Sequence, residues 1–124
     1  MSPKILVADD EPNIVISLEY LLKREGYTVV IARDGQEALD AIARELPDLV
    51  LLDVMMPKKT GFEVCQEVRA NDALKGVKIL MLTAKGRDTD LAKGTAMGAD
   101  AYMTKPFSTR DLAQKVADML AQTP

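Results

Sequence analysis

The chain has 124 residues and a net charge of −3, and it contains no histidine. That length supports one domain with one core, and the mixed charges form no basic stripe for nucleic acid or an anionic membrane. The missing histidine excludes His-ligated metal sites, Ser-His and Cys-His nucleophilic pairs and a phosphohistidine carrier. The start, Met1-Ser2-Pro3-Lys4, lacks the apolar stretch of a signal peptide, and no apolar run is long enough to cross a bilayer. Cys65 is the only cysteine, so no internal disulfide forms. A reducing, cytoplasmic setting is expected, with Cys65 as a small buried hydrophobe.

Two kinds of segment alternate along the chain. Lys4-Ala8, Leu49-Leu52 and Ile79-Leu82 are short apolar runs that end in a polar residue, as expected of strands covered on both faces of a parallel sheet. Val29-Ala32 and Ala101-Met103 are shorter or more mixed and are expected at the sheet edges. Pro12 pre-sets a first helix, with Glu11 near its positive end, an inner stripe of Ile14, Leu18, Leu21 and Leu22, and a stop at Gly26. Asp34-Gly35-Gln36-Glu37 resembles a capping box ahead of Ala38, Leu39 and Ile42, and Pro47 closes that exit. Thr60-Gly61-Phe62-Glu63 is a second capping box, with Phe62, Cys65 and Val68 turned inward behind it. Ser108-Thr109-Arg110-Asp111 opens the last helix, with Leu112, Val116, Met119 and Leu120 on its core side.

The fourth helix, roughly Asp88 to Met97, is the weak one. It carries Gly94 and Thr95 in its body and only Leu91 and Met97 as larger apolar residues. Two readings stand: a short helix held by tertiary contacts, or a low-stability element that a switch moves. Strict alternation of strand and helix implies an α/β fold with parallel strands, right-handed crossovers and helices on both faces. There is no repeat or linker, so residues 1–124 are expected to form a single domain.

In open α/β sheets, function gathers beyond the carboxyl ends of the strands. The residues at these ends are Asp9 and Asp10, Asp53, Thr83 and Lys105. If the first, third, fourth and fifth strands are neighbours, all of them converge on one edge. Three crowded carboxylates resist ionisation, and a divalent cation resolves that. Hard oxygen ligands without Cys or His favour Mg²⁺. A carboxylate nucleophile can accept a phosphoryl group, whose charge needs positioned cations and donors. Asp53 is the natural nucleophile because it closes a central strand. Taken singly these residues are ordinary caps and turn residues; the set, each at its strand end, carries the signal.

Ile5-Leu6-Val7-Ala8-Asp9-Asp10-Glu11-Pro12, Leu49 to Pro57, Leu82-Thr83-Ala84 and Gly98 to Phe107 resemble the four signature blocks of response-regulator receiver domains. The resemblance implies a flavodoxin-like doubly wound five-stranded parallel sheet, order 2-1-3-4-5, with five helices. It implies that Asp53 accepts the phosphoryl group, that Asp9, Asp10, Asp53 and the Met55 backbone carbonyl hold Mg²⁺, and that Thr83 and Lys105 contact the phosphoryl oxygens. It further implies that Tyr102 swings inward when Thr83 is drawn to the phosphate, and that the Lys105-Pro106 bond is cis. Met55 and Lys85 would flank the site and tune the acyl-phosphate lifetime. The chain also resembles the winged-helix transcription subfamily around Met55 and Thr83-Ala84-Lys85, but Leu91, Ala96 and Ala101 stand where that subfamily pairs through charges.

The implied partners are a histidine kinase or histidine phosphotransfer protein upstream, and a downstream protein or effector domain. The downstream partner would read the face of the fourth helix, fifth strand and fifth helix. Such a signalling module catalyses only its own phosphorylation and dephosphorylation, and binds no nucleic acid or membrane directly. Rival readings fit less well. A haloacid-dehalogenase-type magnesium phosphatase needs a second Asp two residues after the nucleophile, where this chain has Met55. A flavodoxin-like electron carrier needs a phosphate loop that Asp9-Asp10-Glu11 would repel. A degenerate receiver would lack part of the residue set.

Overall fold

A computed structural model describes residues 2–84 and 98–121. Five parallel strands, β1 (Lys4–Ala8), β2 (Thr28–Ala32), β3 (Leu49–Asp53), β4 (Lys78–Ala84) and β5 (Ala101–Lys105), form one sheet in the order β2-β1-β3-β4-β5. The expected topology and edge strands are therefore present. The central strand β3 is buried along its whole length, whereas the edge strands β2 and β5 are mostly half-buried. Strands β2, β3, β4 and β5 run slightly beyond their apolar runs, because ladder bonds continue into the polar residues that follow or precede them. Asp53 is thus the last residue of β3 rather than the first of a loop.

Alternation along the strands builds two apolar layers. Leu6, Ala8, Val50, Leu52, Ile79 and Met81 face one side, with α2 (Gly35–Glu45) and α3 (Gly61–Ala70). Ile5, Val7, Leu49, Leu51, Leu80 and Leu82 face the other, with α1 (Pro12–Arg24) and the C-terminal helix (Thr109–Ala121). Side chains of consecutive strand residues point to opposite faces, so register decides which layer a residue joins. The described residues include no helix long and apolar enough to cross a membrane.

Local signals are realised with small departures. Thr60 and Glu63 form the full reciprocal capping box. Asp34 accepts from the Glu37 N–H at 2.8 Å, but the Glu37 carboxylate reaches the N–H of Arg33 at 3.1 Å, not that of Asp34. In α1, Val15 is buried and Ile14 only half-buried, and in α2 Ala41 is buried and Leu39 half-buried. The other expected inward residues, Leu18, Leu21 and Leu22 of α1 and Ala38 and Ile42 of α2, are buried, so each stripe departs from expectation at a single position. Leu120 is likewise half-buried beside Met119. The expected fourth helix, with Leu91 and Ala96, lies outside the described residues.

Helix α2 ends at Leu46, which adopts the left-handed conformation (φ 47°, ψ 59°) and exposes 59% of its surface. That conformation favours glycine, and the Leu46 N–H still caps Ile42. Leu46→Gly relieves the backbone strain but adds freedom to the unfolded chain. The expected net gain is roughly 0.5–1 kcal/mol. Urea unfolding would show it as a raised midpoint at constant slope.

Candidate functional site

The site follows from register at the carboxyl edge of the sheet. Ala8 pairs with Leu52, so Asp9 and Asp53 leave their strands side by side on the same face. Asp53 pairs with Leu82, and Ala84 pairs with Lys105. Counting along the strands by twos puts Lys105 on the face of Asp53 as well. Thr83 lies one residue out of phase, on the face that also carries Tyr102, since Met81 pairs with Tyr102 and Thr83 with Thr104.

The side chains realise this placement. The Lys105 ammonium lies 2.9 Å from Asp9 Oδ2, 3.3 Å from Asp53 Oδ1 and 3.5 Å from Glu11 Oε1. Asp9 is fully buried, and its other oxygen accepts from the Glu11 N–H at 2.9 Å. Asp9, Asp10 and Asp53 each offer a carboxylate oxygen, and these oxygens lie within 4.8 Å of one another. Asp53 is buried, Asp10 exposed. Thr83 is buried at the adjoining strand end, and among the described residues its hydroxyl is the one buried side-chain polar atom without a hydrogen-bond partner. An orphaned buried hydroxyl costs stability unless something else uses it.

Burial, followed by the Asp9 charge, pushes the Asp53 carboxyl up to about 6, against the opposing pull of Lys105 and the Met55 N–H. Burial works against the Lys105 charge, but Asp9 and Asp53 outweigh it and hold the ammonium above its ordinary range. The result is a crowded, partly desolvated acidic pair bridged by one cation. Its ligand set is hard oxygen only, which suits Mg²⁺. Gly61 lets α3 start against the site: a Cβ there would collide with the carbonyl oxygen of Asp53.

The structure thus brings Asp9, Asp10, Asp53 and Lys105 together and sets Thr83 beside them. The Met55 backbone reaches Asp53 while its side chain is exposed, and Tyr102 is half-buried. The Lys105–Pro106 bond is cis. Lys85 lies outside the described residues. One contact escaped the sequence: Glu11 faces Lys105 as well as standing at the start of α1. Its place immediately after Asp9-Asp10 was the available signal. An apolar-walled groove of about 580 Å³ adjoins the site, between the start of α1 (Ile14, Ser17) and Pro106 and Phe107.

Residues 5–117 match the family described as response regulator receiver domain. The chain belongs to that family. Receiver domains are phosphorylation-dependent signalling switches, and nothing here supports the phosphatase alternative. The chain is 49% identical over 99% of its length to the alkaline phosphatase synthesis transcriptional regulatory protein PhoP of Bacillus subtilis (strain 168). It spans 50% of that curated relative. Among solved structures it is similar to the chemotaxis response regulator CheY4 of Vibrio cholerae, with 34% identity, a TM-score of 0.90, and coverage of 96% of this chain and 99% of that one. It is also similar to the receiver domain of sensor histidine kinase PA1611 from Pseudomonas aeruginosa PAO1, with 27% identity, a TM-score of 0.90, and coverage of 98% and 100%. That structure has a magnesium ion coordinated in its active site cleft.

Proposed function

We propose that Asp53 of this receiver domain takes a phosphoryl group from a phosphohistidine of a partner histidine kinase or histidine phosphotransfer protein, or from a small phosphodonor. The observation that carries this reading is the convergence of Asp9, Asp10 and Asp53 within 4.8 Å with the Lys105 ammonium among them. An Asp53 oxygen bonds to phosphorus as the bond to the donor nitrogen breaks, and the imidazole leaves. Asp9, Asp10, Asp53 and the Met55 carbonyl would hold Mg²⁺, which when bound supplies charge to the phosphoryl oxygens. Lys105 neutralises a further oxygen from its strand end. The orphaned Thr83 hydroxyl donates to another, satisfying in the phosphorylated state the bond it lacks otherwise.

The output follows from that last contact. Thr83 and Tyr102 share a sheet face, so drawing the hydroxyl inward opens room for the Tyr102 ring. The face of the fourth helix, fifth strand and C-terminal helix then changes for a downstream partner or effector domain. Only a phosphoryl group that contacts the two states differently shifts their populations. The domain acts in the cytoplasm as a single unit over residues 1–124, and turns over only its own phosphoryl group.

Intact-mass spectrometry tests the core of this. With Mg²⁺ and a small phosphodonor, one phosphoryl group, labile to hydroxylamine, is expected on the parent and none on Asp53→Asn. Equal modification of both proteins refutes the assignment. For the output, hydrogen exchange across residues 98–105 should change on adding a beryllofluoride phosphate mimic, and should not change in Thr83→Ala.

A further inference from the structure

At the opposite end of β5 from the site, Arg69 joins segments that are distant in sequence. Near the end of α3, its Nε donates to Gly98 O at 2.8 Å and its Nη1 to Val77 O at 2.7 Å and Lys75 O at 3.2 Å. Its Nη2 bonds Asp100 Oδ2 at 2.7 Å. The same Asp100 oxygen accepts the Ile79 N–H at 2.8 Å, and the Asp100 N–H donates to Ile79 O at 3.0 Å. One guanidinium therefore ties together the approach to β4 and the approach to β5. The chain is shaped around this side chain. Gly98 has φ +99°, and a Cβ on it would come within 2.7 Å of Arg69 Cγ.

The clamp sits one residue before the first paired residues of the two strands, Leu80 and Ala101. Strand β5 is at the sheet edge, so β4 is its single strand neighbour. Its residues are half-buried, with Thr104 exposed, and register in such a strand is weakly specified by burial alone. A slip of one residue would turn Lys105 to the Tyr102 face, away from Asp9 and Asp53. The clamp fixes the alignment at one end of β5, and Lys105 uses it at the other, about 17 Å away.

We propose that Arg69 is a positioning residue for the phosphoryl site, acting through Asp100 and the β4–β5 register to hold Lys105 against Asp9 and Asp53. Its consequence for phosphoryl transfer rests on the site reading above; its consequence for Lys105 does not. The direct readout is competitive amine labelling followed by mass spectrometry, well below the melting temperature of each protein. The ion-paired Lys4, the first residue of β1 and two strands away from β4, is the control. In Arg69→Gln, labelling of Lys105 should rise roughly threefold or more while that of Lys4 stays constant, a local rather than global loosening. Asp100→Asn, at an exposed position that keeps an oxygen for the Ile79 N–H, is the milder second variant and should raise Lys105 labelling in the same direction. Unchanged Lys105 labelling in the variants, or an equal rise at Lys4, overturns the proposal. Asp53 phosphorylation should slow by about tenfold in Arg69→Gln and show no further loss from it in a Lys105→Met background. An undiminished effect in that background also overturns it. A parent that is not phosphorylated would instead count against the site reading and leave the labelling result to decide the role of Arg69.

Discussion

Asp53→Asn is expected to be more stable than the parent at pH 8 without metal, by roughly 3 kcal/mol or on the order of 10 °C in melting temperature. The carboxyl titrates near 3.8 when unperturbed and is pushed up to about 6 in the folded protein, first by burial and then by Asp9. The folded state therefore binds the proton more tightly than the unfolded chain. Stability from this group is fully present below pH 3.8 and is lost as pH rises through about 6. The amide of Asn keeps the shape of the carboxyl but removes its charge, so the loss disappears with it. At pH 4 the two proteins should melt close together. Mg²⁺ at pH 8 should narrow the gap from the other side, because the parent has the stronger oxygen cage and gains more by preferential binding to the folded state. Melting curves at several pH values, with and without Mg²⁺, check both limbs. A gap that does not shrink toward pH 4 would assign the stability difference to packing.

The strands and the residues at their carboxyl ends were legible because they depend on local signals that agree, whereas the strand order came from the resemblance to receiver domains. Apolar strand-length runs ended in Asp9, Asp53 and Thr83, with Lys105 after a more mixed fifth run, and these ends meet at one edge once the first, third, fourth and fifth strands are neighbours. What escaped depends on small side chains and long-range register. In α1, Val15 is buried while the neighbouring Ile14 is half-buried, a one-position difference that the spacing of apolar residues does not set. Glu37 bonds the Arg33 N–H rather than that of Asp34, although the N-cap Thr60 is extended as Asp34 is and does form the full capping box, a choice that composition does not encode. Arg69 is a basic residue in the last turn of α3. Its acceptors are the carbonyls of Lys75, Val77 and Gly98 and the Asp100 carboxylate, and no pattern within α3 announces them. The αL position of Leu46 was hidden for the same reason, since Pro47 signalled the stop but not its handedness.

Lys105→Met should slow the chemistry without removing the acceptor, and should have the opposite effect on stability. Methionine retains much of the aliphatic stem while removing the ammonium that lies 2.9 Å from Asp9 and 3.3 Å from Asp53. Asp9 is fully buried and Asp53 nearly so, and Lys105 is the cation paired with both among the described residues. Removing one partner of a buried ion pair costs about 3–5 kcal/mol, because the remaining charge stays desolvated. Here the penalty has an escape: Asp53, already raised, can hold its proton to a still higher pH. The metal-free variant should therefore be markedly less stable than the parent at pH 8 and recover toward pH 5. Mg²⁺ should restore part of the loss at pH 8, since a divalent cation among the same oxygens replaces the missing positive charge. Phosphorylation should not recover with it. In the proposed transfer the ammonium neutralises one phosphoryl oxygen, and losing one such preorganised charge costs on the order of 100-fold in rate. Thermal melts and the rate of mass increase with a small phosphodonor separate the two effects. If Mg²⁺ restored the phosphorylation rate as fully as the stability, Lys105 would be only a counter-ion for the acidic cluster, with no part in transfer.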